Sequence, residues 1–317
     1  MCIFICMYLM RAFGFVLVFL SASVTQGGQG TYDWTDSQAL FEGVAYANIE
    51  LELEDARGLD CPHYRGFSPD KPRKLSLHVL RIDTKQPKLR LSTTGRAEGW
   101  GNKMPSHGGK QLDGYVIRTK RETTVDFLER NRKDSRDMLV AVNAQPWSPF
   151  ESRVAHPYAD QLGLTISDGV LVSPPNGGPS FVVRKDGSPD MLATDDSSDL
   201  SEIDLAVTGF SFCLVDGKPS PPDTRLHPRT GYGLCPEKRF LYLLVIDGRQ
   251  DTSQGATVHE VGAWLLHFGA HTGINMDGGG STTMTRWNPA KEKAEVLNRP
   301  SGGKPRSVGG NLAAYSI

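Results

Sequence analysis

The sequence predicts an α+β fold, built mostly from antiparallel sheet with a few helices, and three observations support this prediction. The dipeptides Asp168-Gly169 and Asp186-Gly187 each lie between β-rich runs, which is the strongest short-range indication of a β-hairpin. Only Val258–Phe268 carries a complete helical signature, so strands outnumber helices. The chain has 34 glycines and 20 prolines among 317 residues, enough for many turns but below the content typical of disorder.

The amino terminus is the one strongly apolar stretch of the chain. Arg11 precedes nine apolar residues, Ala12–Leu20, and small residues follow, which is the pattern of a secretory signal. We predict a signal peptide over residues 1–23 and a secreted or periplasmic protein of the cell envelope. The alternative is an uncleaved membrane anchor, which the charge of Arg11 disfavours. No later segment is apolar enough to span a bilayer, so no membrane span is expected after cleavage.

Residues 24–40 are predicted to form a flexible lead-in, and residues 41–317 a single domain. Alternating or continuous apolar patterns predict its strands, in chain order, at Gly43–Glu54, Leu75–Asp83, Lys88–Thr93, Met138–Val142, Leu205–Val215 and Phe240–Asp247. The second and third of these are expected to pair around Lys85–Pro87. Between them and the fourth strand lie a long irregular stretch, Gly95–Glu122, and a short helix, Thr123–Arg132.

The strongest predicted helix covers Val258–Phe268. Thr257 can cap it, and Glu260 lies three residues later, as a capping box requires. Gly269 follows the last residue and can end the helix. One face carries the apolar stripe Val258, Val261, Leu265 and Phe268.

Charge and cysteine content limit the classes of partner. The 35 basic and 36 acidic side chains give a net charge of −1, so a nucleic-acid groove, which needs a basic excess, is not expected. If residues 1–23 are removed, the cysteines Cys61, Cys213 and Cys235 remain. Export would permit one disulfide with one thiol left over, and the sequence does not say which pair bonds.

The segment 275–284 is the most informative stretch for chemistry. Asp277 precedes three glycines, Gly278–Gly280, whose backbone can turn tightly and offer successive N–H groups to an anion. Ser281 and Thr282 add hydroxyl donors, and Asn275 adds an amide. The segment lacks the lysine of a P-loop, so a nucleoside triphosphate cradle is excluded.

Other polar segments occur at strand ends and contain arginine. They are His227–Thr230, Asp247–Arg249 and Asn298–Gly303. Each alone would be an ordinary turn, but their repetition near Asp277 in chain order predicts a shared cleft, because sites are commonly built from loops on a rigid sheet.

These segments resemble the phosphodiester glycosidase family. The resemblance rests on HPRTGYGL (227–234), LVIDGRQ (244–250), TVHEVG (257–262), NMDGGGSTTM (275–284) and NRPSGG (298–303), and it extends over roughly residues 75–316. An earlier family block matches at Asn143 but continues differently here, as Ala144-Gln145-Pro146-Trp147.

The resemblance implies hydrolysis of a sugar-1-phosphodiester at the anomeric carbon. Asp277 is the first candidate for the catalytic carboxylate and Asp247 the second, while Glu260 matches a family position that its capping role also explains. Carbohydrate or a sugar phosphate is the expected substrate. The residues expected to bind the substrate or its phosphate are Asn143, Arg229, Thr230, Arg249, Asn275, Gly278, Gly279, Gly280, Ser281, Thr282 and Arg299.

Several alternatives remain open at this point. No cofactor and no metal site is predicted, although Asp247 and Asp277 are the residue type that could hold Ca²⁺ or Mg²⁺. The substrate could be an exopolysaccharide or cell-wall glycan without phosphate. The protein could also be a non-catalytic envelope protein that binds glycans through Trp100 and Trp147.

Overall fold

The computed structural model describes residues 31–133, 136–149 and 156–317. Within these ranges two α-helices form, α1 (Thr124–Lys133) and α2 (Val258–Phe268), and Trp34–Asp36 and Gly279–Ser281 form short 3-10 helices. The strands of the described ranges are β1 (Gln38–Phe41), β2 (Val44–Leu53), β3 (Arg73–Asp83), β4 (Leu89–Thr93), β5 (Thr119–Lys120), β6 (Asp137–Asn143), β7 (Trp147–Ser148), β8 (Tyr158–Gln161), β9 (Thr165–Ser167), β10 (Val170–Ser173), β11 (Pro179–Arg184), β12 (Pro189–Ala193), β13 (Ile203–Thr208), β14 (Ser211–Val215), β15 (Lys218–Pro219), β16 (Arg229–Leu234), β17 (Phe240–Ile246), β18 (Thr272–Asn275), β19 (Met284–Asn288), β20 (Lys293–Val296) and β21 (Asn311–Ser316).

The strands form four sheets in which neighbouring strands run antiparallel. The largest has eight strands in the order β1-β2-β3-β17-β16-β18-β14-β15. Two sheets have five strands, β10-β9-β13-β11-β12 and β20-β19-β6-β21-β4, and a small sheet is β5-β8-β7. The predicted antiparallel sheet is therefore confirmed. The α+β class is corrected, because the fold is closer to all-β, with its two described helices covering sheet faces rather than forming a layer of their own.

The eight-stranded sheet is buried on both faces. Leu243 and Val245 of β17 point into a core shared with both five-stranded sheets, whereas Leu244 and Ile246 pack in the cluster that includes α2. Because both faces are covered, β17 is apolar at every position instead of alternating. Helix α1 covers the five-stranded sheet β20-β19-β6-β21-β4, against which it packs Phe127 and Leu128.

Local signals in the sequence predict the turns and helix ends correctly. Asp168-Gly169 joins β9 to β10, and Asp186-Gly187 joins β11 to β12. Helix α2 has the predicted bounds, with both halves of the capping box formed, and Gly269 ends it in the left-handed conformation (φ 108°).

Two predictions about strand pairing are wrong. Strands β3 and β4 do not pair: β3 lies between β2 and β17, whereas β4 pairs with β21 in another sheet. The predicted strand Leu205–Val215 is two strands, β13 and β14, separated at Gly209 and placed in different sheets. In both places the chain passes from one sheet to another. The apolar alternation of a strand does not depend on which strand it pairs with, so the pattern could not predict these pairings.

Part of the predicted lead-in, residues 24–40, packs against the domain. The Trp34 indole donates a hydrogen bond to the Phe268 carbonyl (3.1 Å), and the Tyr32 N–H donates to the His267 carbonyl (2.7 Å), so this segment packs on the end of α2. The predicted signal peptide, residues 1–23, lies outside the described residues. Among the residues that the structure describes, no helix has the length and apolar character needed to cross a bilayer.

The three cysteines of the described domain are free. Cys61, Cys213 and Cys235 are buried thiols, so the disulfide that export would permit is not formed among them. Burial raises the pKa of the Cys213 thiol to about 12, which keeps it protonated at neutral pH.

Candidate active site

Asn143 stands at the centre of the predicted cleft but inside the protein. It is fully buried, and its amide N–H donates to the Asp277 carbonyl (2.6 Å). Its side-chain oxygen accepts from the Thr230 hydroxyl (2.8 Å) and Thr283 N–H (3.0 Å), and its carbonyl accepts from the Tyr232 hydroxyl (2.9 Å). Asn143 and Thr230 therefore position the turn at Asp277, and neither side chain is open to a ligand.

Asp277 is a nearly buried carboxyl group at the start of the glycine turn. Only 9% of the residue is exposed. Burial raises the pKa of Asp277 to about 6, while Ser281, the Arg306 guanidinium, the Gly278 N–H and Trp147 act in the opposite direction. A carboxyl group with this pKa changes charge near neutral pH, as catalytic acids and bases do.

Two guanidinium groups lie against the glycine turn. Gly279 has φ 63°, and a methyl group on it would lie 3.2 Å from Nη2 of Arg249. A methyl group on Gly280 would overlap the guanidinium of Arg306. The absence of side chains here lets both cations approach the backbone beside Asp277, so the turn, Asp277, Arg249 and Arg306 form one cluster.

His227 extends this cluster toward the start of β16. Arg249 Nη2 and His227 Nδ1 are 3.0 Å apart. Burial, followed by the charges of Arg229 and Arg249, lowers the pKa of His227 to about 4. The imidazole is therefore neutral at pH 7, and Nδ1 can accept the hydrogen bond from Arg249.

Asp247 lies behind the cleft and holds a loop. It is 1% exposed, and its carboxylate accepts hydrogen bonds from the Asn298 amide (2.8 Å) and the Arg299 N–H (2.9 Å). His78 Nε2 is 3.5 Å from the same carboxylate. The backbone of Arg299 is thus anchored, while its side chain is exposed. This geometry favours a positioning role for Asp247.

Glu260 is occupied by structural partners. Its carboxylate accepts from the Thr257 N–H (2.8 Å), which completes the capping box, and it forms an ion pair with the guanidinium of Arg73. The Arg73 side chain is 1% exposed, so Glu260 neutralises a buried cation. The capping interpretation of Glu260 therefore agrees with the structure better than a catalytic one.

Arg229 and Asn275 face away from Asn143, toward the side of the sheet that α2 covers. Arg229 donates through Nε to the Ala256 carbonyl (2.9 Å) and through Nη2 to the Arg225 carbonyl (3.0 Å). Asn275 is 4% exposed, and its side-chain oxygen has no hydrogen-bond partner among the described residues. The predicted site thus divides into a cluster around Asp277 and a separate group around Arg229.

Sequence reasoning missed Arg306 and did not select His227. His227 belongs to the polar strand-end segment His227–Thr230, so its position in the sequence could have identified it. Arg306 follows the 298–303 segment in a loop with no periodic pattern, and only its contact with Gly280 reveals it.

The carboxylate of Asp247, one of the two residues considered for Ca²⁺ or Mg²⁺, accepts hydrogen bonds from N–H groups of Asn298 and Arg299. Across residues 31–133, 136–149 and 156–317, no group of three or more His, Cys, Asp or Glu side chains is placed to hold a metal ion.

The family model described as phosphodiester glycosidase matches residues 136–315. A curated relative, the uncharacterized protein YomE derived from the SPbeta prophage of Bacillus subtilis (strain 168), is 27% identical over 210 residues. That match covers 61% of this chain and 30% of YomE, so the chain spans about a third of the length of this relative.

Solved structures share the fold. The catalytic domain of zebrafish N-acetylglucosamine-1-phosphodiester alpha-N-acetylglucosaminidase, auto-inhibited by its pro-peptide, aligns with a TM-score of 0.60 and 18% identity. The alignment covers 91% of this chain and 87% of the zebrafish chain. A hypothetical protein from Synechocystis aligns with a TM-score of 0.53 and 11% identity, over 87% of this chain and 62% of its own. At these identities the likeness concerns the fold.

Proposed function

Because the chain belongs to the phosphodiester glycosidase family, we propose that it hydrolyses the bond between the anomeric carbon of a sugar and the oxygen of a phosphodiester. Family membership itself indicates a glycosidase-type hydrolase acting on carbohydrate. The observation that carries the finer proposal is the nearly buried Asp277 carboxyl beside Arg249 and Arg306. The name of the zebrafish fold relative includes a sugar-1-phosphodiester as substrate, which agrees with this choice.

The two arginines supply the phosphate interaction in this proposal. A guanidinium presents N–H donors in a planar fork that matches phosphate oxygens, and preorganised cations stabilise the charge that develops on a leaving group. A phosphomonoester leaves readily as an anion, so this reaction needs a strong general acid less than ordinary glycoside hydrolysis does. Arg249 and Arg306, held against Gly279 and Gly280, would bind the departing phosphate.

Asp277 acts in its ionised form at the anomeric carbon. It either attacks that carbon or removes a proton from the attacking water, and the carbon–oxygen bond to phosphate breaks with its electron pair. The oxygen of water ends on the sugar, and the products are a free sugar and a phosphomonoester. With a pKa near 6, Asp277 is mostly ionised at pH 7 and is less solvated than a surface carboxylate.

Turnover of matched substrates tests this reaction. The methyl diester of N-acetylglucosamine 1-phosphate should be cleaved to methyl phosphate and free sugar, with p-nitrophenyl N-acetylglucosaminide as the substrate without phosphate. In water enriched in ¹⁸O, methyl phosphate should contain no label, and label in the phosphate would show attack at phosphorus instead. Asp277→Asn should lower kcat/KM by about 10²–10⁴-fold. The wild-type value should rise with pH to a plateau, with an apparent pKa of about 6.

A steric variant tests the phosphate role of Arg306 without changing any charge. Gly280→Ala places a methyl group against the guanidinium of Arg306, which must move. We expect kcat/KM for the phosphodiester to fall roughly 10–100-fold. The matched control is Gly302→Ala, where the nearest atom to the new methyl group is 3.9 Å away. Equal kcat/KM values in the two variants would contradict the proposed role.

The alternative functions have weaker support. A carboxyl group with a pKa near 6 can also protonate an ordinary glycosidic oxygen, so faster turnover of the p-nitrophenyl glycoside would favour a phosphate-free glycan. The aromatic rings suggested for glycan binding are covered: the Arg121 guanidinium lies 4.3 Å from the Trp147 ring centre, and that of Arg96 lies 3.5 Å from the Trp100 ring centre. Neither ring offers an open face on that side.

We also propose export of the protein, on the signal pattern of residues 1–23. Expression of the full chain in a secreting host should yield a mature protein outside the cytoplasm, whose amino-terminal residue follows the small residues at 21–23. A mature protein that retains Met1 or Met10 would contradict this proposal.

A further inference from the structure

A cavity of about 730 Å³, open to solvent, lies next to the Asp277 cluster, between the start of β14, the 220–225 loop and the start of α2. Arg225, His227 and Arg229 contribute cationic or N–H groups to its wall, and Ser211 and Ser220 also line it. This volume lies within the range of roughly 300–1,000 Å³ typical of small-molecule sites. The cavity is therefore large enough for a chemical group well beyond the reacting phosphate.

The charged lining favours an anion. Carbonyl groups accept hydrogen bonds from Nε and Nη2 of Arg229, which leaves Nη1 without a hydrogen-bond partner among the residues described. Arg225 is exposed at the rim. The carboxylate in the lining is Asp223, and it accepts hydrogen bonds from the N–H groups of Val258 (2.9 Å) and His259 (3.2 Å) at the start of α2. The carboxylate of Asp223 is thus hydrogen-bonded within the protein, whereas the guanidinium groups of Arg225 and Arg229 can still donate hydrogen bonds to a ligand.

The cavity adjoins the proposed catalytic cluster at His227. The Gly279 N–H donates to the Pro228 carbonyl (2.8 Å), and a methyl group on Gly278 would lie 3.6 Å from the Cα of Arg229. His227 lines the cavity, and its Nδ1 is 3.0 Å from Arg249. One arginine pair, Arg249 with Arg306, therefore adjoins the turn, and the other lies across the His227 side chain.

We propose that this cavity binds the alcohol side of the phosphodiester and that this group carries a second phosphate, recognised by Arg225 and Arg229. The inference rests on the proposed function, since it assigns the reacting phosphate to Arg249 and Arg306. The His227 imidazole contacts Arg249 and lines the cavity together with Arg225 and Arg229, so the two pairs are separated by more than the single oxygen that links the phosphates of a pyrophosphate. The geometry thus favours a second phosphate on the far side of a short linker, as in the next unit of a sugar-phosphate chain.

Three substrates with the same sugar test the inference. The first is the diester of the sugar 1-phosphate with glycerol, the second has a further phosphate on the distal glycerol hydroxyl, and the third is the methyl ester of the sugar pyrophosphate. In the wild type, kcat/KM for the second should exceed that for the first by about tenfold. Arg225→Ala should remove this advantage, so that the first two substrates have equal kcat/KM. Lys185→Ala, which removes an exposed cation from the loop between β11 and β12, should keep it.

The outcomes separate this inference from the proposed function. Equal kcat/KM for the first two substrates in the wild type, or an advantage that survives Arg225→Ala, overturns the second-phosphate site. If the wild type prefers the third substrate, the pyrophosphate, to the second, and this preference depends on Arg225, then the proposed linker between the two phosphates is wrong. Calorimetry provides a test without turnover. Glycerol 1,3-bisphosphate should bind the full chain more tightly than glycerol 1-phosphate does. Its affinity for Arg225→Ala should be about tenfold lower than its affinity for the wild type. Arg225-dependent binding without hydrolysis would mean that the proposed reaction is wrong and the anion site is right.

Discussion

Asp277 and Asp247 each follow a buried strand, and the two strands end on the same side of the eight-stranded sheet. Their carboxylates nevertheless have different partners. Asp247 accepts N–H donors from Asn298 and Arg299, and this interaction holds a loop in place. Asp277 lies at the opening of the glycine turn, where burial raises its pKa to about 6. The same residue type therefore anchors a loop in one position and has a raised pKa in the other.

Asp277 should reduce the stability of the folded protein at neutral pH. Its pKa is about 6 when folded and near 3.8 when unfolded, so the folded state binds the proton more tightly and stability falls as pH rises from about 4 through about 6. Asp277→Asn removes the charge and should raise the free energy of unfolding at pH 7.5 by on the order of 2–3 kcal/mol. At pH 4 the two proteins should be nearly equal. Urea unfolding at both pH values measures the difference, and an equal shift at both would contradict this explanation.

The start of helix α2 has a capping box, which the sequence predicts, and an ion pair, which the sequence does not predict. Thr257 and Glu260 form the capping box expected from their spacing, whereas the pairing of Glu260 with Arg73 joins residues 187 positions apart. The carboxylate therefore connects the start of α2 to the start of β3. This second contact makes the helix end part of the tertiary structure.

Glu260→Gln should destabilise the fold without altering the catalytic pH profile. The buried Arg73 would lose its counter-charge, which costs about 3 kcal/mol, whereas Thr257→Ala, which removes a cap alone, costs about 1 kcal/mol. The apparent pKa of about 6 in kcat/KM should persist in both variants, since it belongs to Asp277. Thermal unfolding and pH-rate profiles test the two statements. Loss of this ionisation in a folded Glu260→Gln protein would restore Glu260 as a catalytic candidate.

At the scale of the whole molecule, the candidate site lies where separate sheets meet. Asn143 ends β6 of a five-stranded sheet, Thr230 and Tyr232 belong to β16 of the eight-stranded sheet, and Asp277 follows β18. The side chain and carbonyl of Asn143 bond to all of these segments. The geometry at Asp277 therefore depends on how the layers dock.

Graded changes at this junction should show that dependence. Thr230→Val removes one buried hydrogen bond to Asn143 and should cost about 1 kcal/mol, because Thr283 still donates to the same oxygen. Asn143→Ala removes the side-chain links together and should cost about 3 kcal/mol or more, with a larger fall in kcat than in Thr230→Val. Urea unfolding and steady-state kinetics measure both. Equal kcat values in wild type and folded Asn143→Ala would show that Asp277 needs no support from Asn143.

The sequence by itself determined the features that depend on neighbours within a few residues. The turns at Asp168-Gly169 and Asp186-Gly187, the bounds of α2 and the glycine turn after Asp277 follow from backbone preferences and short-range hydrogen bonds, and all are found in the structure. The family was also recognisable from its motifs, and the match over residues 136–315 confirms it.

Only the tertiary structure decided which strands pair, where Leu205–Val215 divides and how the polar residues share their roles. Strand pairing depends on partners far along the chain, which apolar alternation does not specify. The same holds for the Arg306 contact with Gly280, the Glu260–Arg73 ion pair and the separation of Arg229 from Asp277. Burial and charge at a residue are set by every segment packed around it, and those segments come together only when the layers are assembled.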